Sequence, residues 1–208
     1  MAVKRGKKLI LFAIAFVLII FLATLIDNQF IQLVYSLRNS FLTNSFLGFT
    51  IISSEIVSFL FLTILFLWQR KTRKWVAPLW FSFSLSVIAS FILKITVQRL
   101  RPFQQDLIYL LPALESSNFL TWNFSFPSFQ TMFAFCAIPI LNKNFPRFKY
   151  FWIAFALLVG FSRIYLGLHF LSDVLAGAFL GLAIGEIIVL IEQKNSFWEK
   201  SYKKIFKK

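Results

Sequence analysis

This sequence predicts an all-α, polytopic membrane protein built as a six-transmembrane-helix bundle, and three observations carry that prediction. The 208 residues are 59% hydrophobic and 19% aromatic, with a mean hydropathy of +0.76, more apolar than a soluble domain of this length. Several apolar runs are about 20 residues long, enough to cross a hydrocarbon core as helices. Lys and Arg gather in short clusters between those runs instead of covering one soluble face. The net charge of +14 therefore does not point to nucleic acid, which needs a continuous basic surface.

The elements follow in order. MAVKRGKK leads into LILFAIAFVLIIFLATLI, a first span over about 9–26. Its apolar part is too long for a signal peptide and no small-x-small cleavage site follows, so it is expected to be retained. The second span, 46–68, contains Glu55 beside Ser53 and Ser54. An intramembrane carboxylate is a functional candidate, and a structural bond to a neighbouring helix is the equal alternative. The third span, 76–96, ends in KITVQRLRP. The fourth, 127–141, opens with PSFQ and holds the lone Cys136, which reads as an inert core thiol. The fifth, 150–161 extended by a turn, is short and has the weakest hydropathy signal of the six. The sixth, 171–191, repeats glycine at Gly177, Gly181 and Gly185. Such a seam admits a close neighbour, either within the bundle or in a homodimer. No repeat, flexible linker or low-complexity tail interrupts the chain, so residues 1–208 are expected to form a single integral-membrane domain.

Charge sets the orientation. Lys4, Arg5, Lys7 and Lys8, then Arg70, Lys71, Arg73 and Lys74, then Lys143, Arg147 and Lys149, then the C-terminal lysines from Lys194 to Lys207 and Lys208, all fall on one side of a six-span chain. That side is expected to be cytoplasmic, with both termini on it, and the basic tail suits anionic headgroups. The other side holds Arg38, Lys94, Arg99, Arg101 and Arg163, each of which needs a reason to be there.

Three segments meet on that outer face: KITVQRLRP at 94–102, PSFQ at 127–130 and SRIYLGLHFLSD at 162–173. Lys94, Arg101 and Arg163 offer positive charge and fork-shaped donors suited to phosphate oxygens. Ser128 stands at an expected helix N-terminus, where free N–H groups favour anions. His169 and Asp173 are four apart and share a helical face. A carboxylate on one ring nitrogen fixes the tautomer and leaves the other as a nucleophile or base. Together these suggest phosphoryl transfer through a phosphohistidine.

In these segments the chain resembles the type 2 phosphatidic-acid phosphatase family, the membrane branch of the superfamily that includes vanadium haloperoxidases. That family's pattern is K-x6-RP, PSGH and SR-x5-H-x3-D. Lys94, Arg101 and Pro102 match the first element, and Ser162, Arg163, His169 and Asp173 match the third at full spacing. The resemblance implies that Lys94, Arg101, Ser128 and Arg163 bind phosphate, that His169 attacks phosphorus and that Asp173 orients it. It implies a lipid phosphate or diphosphate substrate, such as a polyprenyl diphosphate, phosphatidic acid or phosphatidylglycerophosphate. No metal or other cofactor is implied, and no cluster with ligand spacing suggests one. The aromatic-rich stretch 103–125, with Phe103, Tyr109, Phe119, Trp122 and Phe124, would lie at the headgroup level.

The second element matches only at Pro127 and Ser128. Phe129 stands at the glycine position, and Gln130 stands where the family's histidine protonates the leaving oxygen. An amide is no general acid at neutral pH, and His169 is the only histidine in the chain. Asp106, Tyr109 and Glu115 are the acids of the outer segment. Two readings follow: a slow or diphosphate-biased lipid phosphatase, or a catalytically inactive relative that binds lipid phosphate or a protein partner. A small transporter is a third, with little beyond the spans and Glu55 behind it.

Overall fold

The computed structural model describes residues 2–115 and 124–206; for 2–13, 115, 201, 205 and 206 it describes the backbone alone. Phe119, Trp122, Lys207 and Lys208 lie outside the described residues, and the side chains of Lys4, Arg5, Lys7, Lys8 and Glu115 likewise. The described chain is helical: α1 (Ala2–Ser36), α2 (Ser40–Ile52), α3 (Glu55–Trp68), α4 (Val76–Val97), a short α5 (Pro112–Glu115), α6 (Phe129–Asn144), α7 (Lys149–Tyr165), α8 (Leu171–Asn195) and α9 (Phe197–Phe206).

Four helical stretches are long and apolar enough to cross a membrane: Ile14–Ser36, Arg73–Gln105, Pro146–Tyr165 and Leu171–Asn195. The bent pair α2 and α3 makes a fifth if taken as one span. At 16 residues, α6 falls short of that length. It is buried along most of its course, packed against α4, α7 and α8. The outward faces of α1, α3 and α4 expose Val17, Phe21, Leu25, Ile56, Phe61, Ile64, Ile88 and Ile92, as a lipid-facing belt requires.

Two spans depart from the sequence prediction, each for a local reason. The first was expected to end at about 26, one residue before Asp27. The helix instead runs on to Ser36, because Asp27 is neutralised by Arg99 at 2.7 Å. The second was expected to run unbroken over 46–68. It is two helices with a bend of 54° between them. Asn39 caps α2 by accepting from the Leu42 N–H at 2.9 Å, which starts that helix early. Ser54 then caps a new helix by accepting from the Val57 N–H at 3.4 Å, leaving Glu55 as the first residue of α3.

The glycine seam packs within the bundle. A Cβ at Gly177 would lie 2.5 Å from the Ser128 carbonyl oxygen, and one at Gly181 2.3 Å from that of Met132. The backbone of α8 thus touches the backbone of α6, which fixes the height of the α6 N-terminus against the start of α8. At the opposite end, Glu199 of α9 pairs with Lys74 at 2.7 Å and Lys203 at 2.8 Å. The basic loop before α4 and the basic C-terminal helix therefore lie together.

Candidate active site

The α4 C-terminus, the α6 N-terminus and the loop between α7 and α8 surround a cavity of about 400 Å³, within the range of small-molecule sites. Lys94, Arg101, Phe129, Gln130, Arg163 and His169 all line it, with Thr50, Glu55 and Leu168. Six of the eight residues singled out in the sequence therefore share one cavity wall. Ser128 and Asp173 are fully buried behind it.

The cations are held by neutral groups. Lys94 Nζ donates to the Phe124 carbonyl. Arg101 Nη1 donates to the Leu168 carbonyl at 2.8 Å and lies 3.5 Å from His169 Nε2. Arg163 donates to Gln130 Oε1, to Thr50 Oγ1 at 2.6 Å and to Ser162 Oγ. Three buried cations at one cavity leave a strong positive field with little solvent to screen it, which favours an anion of high charge.

His169 sits in the turn that Gly167 allows. Gly167 has φ +76, a left-handed conformation open to glycine. A Cβ there would lie 2.3 Å from Ile108 Cδ1. His169 Nδ1 is 3.8 Å from Asp173 Oδ2, beyond a direct hydrogen bond. Ser125 closes the gap: its hydroxyl donates to Asp173 Oδ2 at 2.5 Å and lies 3.4 Å from Nδ1. Because the Ser125 proton goes to Asp173, its oxygen is free to accept from Nδ1–H. That assignment, made from the network, leaves the Nε2 lone pair on the Arg101 side. Burial, with Arg101 beside it, pulls the imidazole from its ordinary 6.5 down to about 3. The ring is therefore neutral at neutral pH, as a nucleophile must be.

Asp173 is itself over-determined. It accepts from Arg99 Nη1 at 2.8 Å and from the Phe170 N–H at 2.9 Å. Arg99 also reaches Asp27 at 2.7 Å and Ser172 Oγ at 2.6 Å, and its guanidinium lies 4.1 Å from the Phe170 ring centre. Asp27 in turn accepts from the Ser172 N–H at 3.0 Å. Arg38 donates to the Tyr165 carbonyl at 3.0 Å and the Tyr109 carbonyl at 3.2 Å. Arg38, Lys94, Arg99, Arg101 and Arg163 thus all have hydrogen-bond partners in the fold. The sequence pattern passes over Asp27, Thr50, Arg99 and Ser125. The only signal for any of them was the unexplained cation at position 99.

The second element has its own geometry. The Ser128 N–H donates to the Asp173 carbonyl at 3.0 Å, and its hydroxyl pairs with Thr131 Oγ1 at 2.9 Å. Phe129 is an ordinary first helical residue, so its position asks for no glycine conformation. Its ring lines the cavity and lies edge-on to Phe133 at 5.9 Å, which stacks on Phe83 at 3.9 Å. The room for this aromatic comes from the α4–α6 core. Of the alternative acids, Asp106 and Tyr109 are exposed and line no part of the cavity; the Glu115 side chain lies outside the described residues. Glu55 does line it.

A family model described as the PAP2 superfamily matches residues 75–197. The chain is similar to phosphatidylglycerophosphatase B of Bacillus subtilis (strain 168), 37% identical over 114 residues, which is 50% of this chain and 51% of the relative. It is also similar to undecaprenyl-diphosphatase of Sulfolobus acidocaldarius, 32% identical over 135 residues, or 63% and 62% of the two chains. The matched stretch thus spans about half to three fifths of these curated relatives. Among solved structures, the transmembrane PAP2 type phosphatidylglycerolphosphate phosphatase of Bacillus subtilis superposes with a TM-score of 0.68 at 26% identity, covering 88% of this chain and 96% of that one. Aquifex aeolicus LpxE superposes with a TM-score of 0.64 at 30% identity, covering 79% and 95%. With the family match running from the start of α4 through α8, and all three motif segments inside it, the chain belongs to the PAP2 superfamily.

Proposed function

We propose that this protein is a membrane lipid phosphatase that hydrolyses lipid phosphates or diphosphates through a phosphohistidine on His169, with a bias toward diphosphates. One observation carries the reading: a neutral imidazole whose Nε2 lies beside Arg101, in a cavity that Lys94 and Arg163 also line. The terminal phosphate binds against Lys94, Arg101 and Arg163, with the N-terminus of α6 at Ser128 adding its helix field. The Nε2 lone pair of His169 attacks phosphorus as the bond to the leaving oxygen breaks. Asp173, through Ser125, stabilises the charge that develops on the ring. Water then hydrolyses the phosphohistidine.

The bias follows from Gln130. Its carbonyl accepts from Arg163, and an amide has no proton to give. A missing general acid costs about 10²–10⁴-fold where the leaving group is an alkoxide. A lipid monophosphate expelled from a diphosphate is a stable anion and needs no such proton. A polyprenyl diphosphate therefore fits better than phosphatidic acid or phosphatidylglycerophosphate. The same reading takes residues 1–208 as one domain with six spans in the cell membrane, α6 being counted as the fourth despite its length of 16 residues. The termini are cytoplasmic and the site faces outward; the contact of Lys74 with Glu199 supports a common side for two of the basic clusters. A homodimer is not required, because the glycine seam is filled within the bundle.

The test is phosphate release by the purified protein from diphosphate and monophosphate lipids side by side. Diphosphate is expected to be faster by tenfold or more, and His169→Ala to abolish release from both. Equal rates, or a preference for monophosphate, would remove the bias. The alternative, a silent lipid-phosphate binder, draws on the engagement of Gln130 with Arg163. It predicts no release from either lipid and binding that survives His169→Ala.

A further inference from the structure

We infer that Glu55 is the general base of the second half-reaction, taking the proton from the water that hydrolyses the phosphohistidine; this rests on the lipid phosphatase reading given above. The need is chemical. Expelling a lipid monophosphate requires no proton donor, but attack of water on phosphorus still releases a proton that something must accept. Gln130 cannot, since it is an amide already engaged by Arg163.

Glu55 can, by position. The break at Ser53–Ser54 turns α3 away from α2 by 54° and leaves Glu55 at its first turn. There it lines the same cavity as His169 and Gln130. Among the described residues it is the one carboxylate in that wall. Asp27 and Asp173 are committed to Arg99, and Asp106 is exposed away from the cavity. Glu55 is half-buried, not sealed in the core, so it can both face the site and return a proton to solvent. It shares the cavity wall with Arg163, yet no ion pair within 4.0 Å joins the two, and the carboxylate keeps its acceptor capacity.

The step balances. The proton of the attacking water passes to the Glu55 carboxylate as the water oxygen bonds to phosphorus. The P–Nε2 bond breaks, and its electron pair returns to Nε2 as the lone pair. Phosphate leaves, and the Glu55 carboxylic acid gives its proton to solvent. Glu55 would thus act on a reacting water, not on the leaving group.

The experiment follows label from a lipid diphosphate carrying ³²P in its terminal phosphate, by rapid quench, in the wild-type full chain and in Glu55→Gln. The variant is expected to form labelled protein within about threefold of the wild-type rate. It should release one lipid monophosphate per protein in a burst, and then turn over about 10²-fold or more slowly, with phosphohistidine accumulating. Glu55→Asp, which keeps a carboxylate, should recover part of the turnover. A Glu55→Gln protein that turns over within about fivefold of wild type overturns the assignment. So does one whose loss lies in the labelling rate, or a Glu55→Asp protein no better than Glu55→Gln. A wild-type protein that neither takes up label nor releases phosphate overturns the phosphatase reading itself, and the role of Glu55 with it.

Discussion

Arg99 lies outside the family's three-part pattern, yet its loss should cost more stability than that of Arg38, Lys94, Arg101 or Arg163. Its two terminal nitrogens bridge Asp27 at 2.7 Å and Asp173 at 2.8 Å. The arginine side chain is 22% exposed, whereas the carboxylates are 2% and 0% exposed. Arg99→Met would keep much of the packing on Phe170 but strand both acids. Surface ion pairs contribute about 0–1 kcal/mol, whereas removing one partner of a buried pair costs about 3–5 kcal/mol. At about 2–4 °C per kcal/mol for a chain of this size, the midpoint of thermal unfolding in detergent should fall by about 6–20 °C. Arg99→Lys should recover only part, because an ammonium is a point charge that cannot fork across two carboxylates. A double-mutant cycle isolates the cause. Asp27→Asn should destabilise the wild type but be neutral or stabilising beside Arg99→Met, where it removes an orphaned charge. A Met variant melting within 2 °C of wild type, or Asp27→Asn costing the same in both backgrounds, would refute this account.

Three further outcomes are expected. Gln130→His should raise monophosphate turnover relative to diphosphate by about tenfold, short of the full general-acid factor; an unchanged ratio in paired assays would show that position 130 does not govern the leaving group. Gly181→Ala, whose Cβ would lie 2.3 Å from the Met132 carbonyl oxygen, should lose about 1–3 kcal/mol by overpacking, while Gly48→Ala in α2, with nothing within 4 Å, should gain up to about 1 kcal/mol; comparable melting shifts for the two would contradict the α6–α8 contact. The His169 imidazole is held at about 3 when folded against an ordinary 6.5, so the unfolded chain takes the proton first: stability is unaffected by this group above about pH 6.5 and falls by up to about 1.4 kcal/mol per unit of pH below it. Melting curves of wild type and His169→Asn should therefore diverge as pH drops from 7 to 5, and parallel profiles would exclude His169 as the group responsible.

Helical class and the cavity-lining residues were legible because each has a local signature. Apolar runs mark the helices, and Lys94, Arg101, Arg163 and His169 recur at spacings that the family resemblance interprets. What supports them was not legible, because the partners are distant in the chain. Asp27 reaches Arg99 across 72 positions and Thr50 reaches Arg163 across 113, and neither Asp27, Thr50 nor Glu55 falls within the family match at 75–197. Ser125 lies inside it, but its value comes from standing between His169 and Asp173, which helical spacing alone would join directly. The end of the first span and the continuity of the second were missed for one reason: hydropathy counts a charge or a serine as a boundary or an ordinary residue without knowing its partner. Asp27 is tolerated inside a helix because Arg99 neutralises it, and Ser54 breaks one because it caps the next.

Position 130 shows how one substitution redistributes charge around a site. A protonated histidine there would lie beside the guanidinium of Arg163, which Gln130 now contacts directly. Two unit charges about 4 Å apart repel by about 4 kcal/mol at an effective dielectric of about 20, equivalent to about three pKa units. A histidine acid at this point works only when a bound anion offsets that repulsion. Glutamine removes the conflict: its carbonyl accepts from Arg163 and adds no charge, so the cation stays fixed whether or not the cavity is filled. On the proposed phosphatase reading, the gain is a phosphate site organised in advance, and the loss is a proton for the leaving group. A substrate that leaves as an anion makes that loss small. The proton released by the attacking water then has to find an acceptor elsewhere on the cavity wall, which is the position Glu55 occupies. Anchoring by Gln130, preference for diphosphate and a carboxylate base are therefore linked expectations. Gln130→His should weaken the dependence on Glu55 as it restores monophosphate turnover, and turnover that depends on Glu55 equally in both backgrounds would break that link.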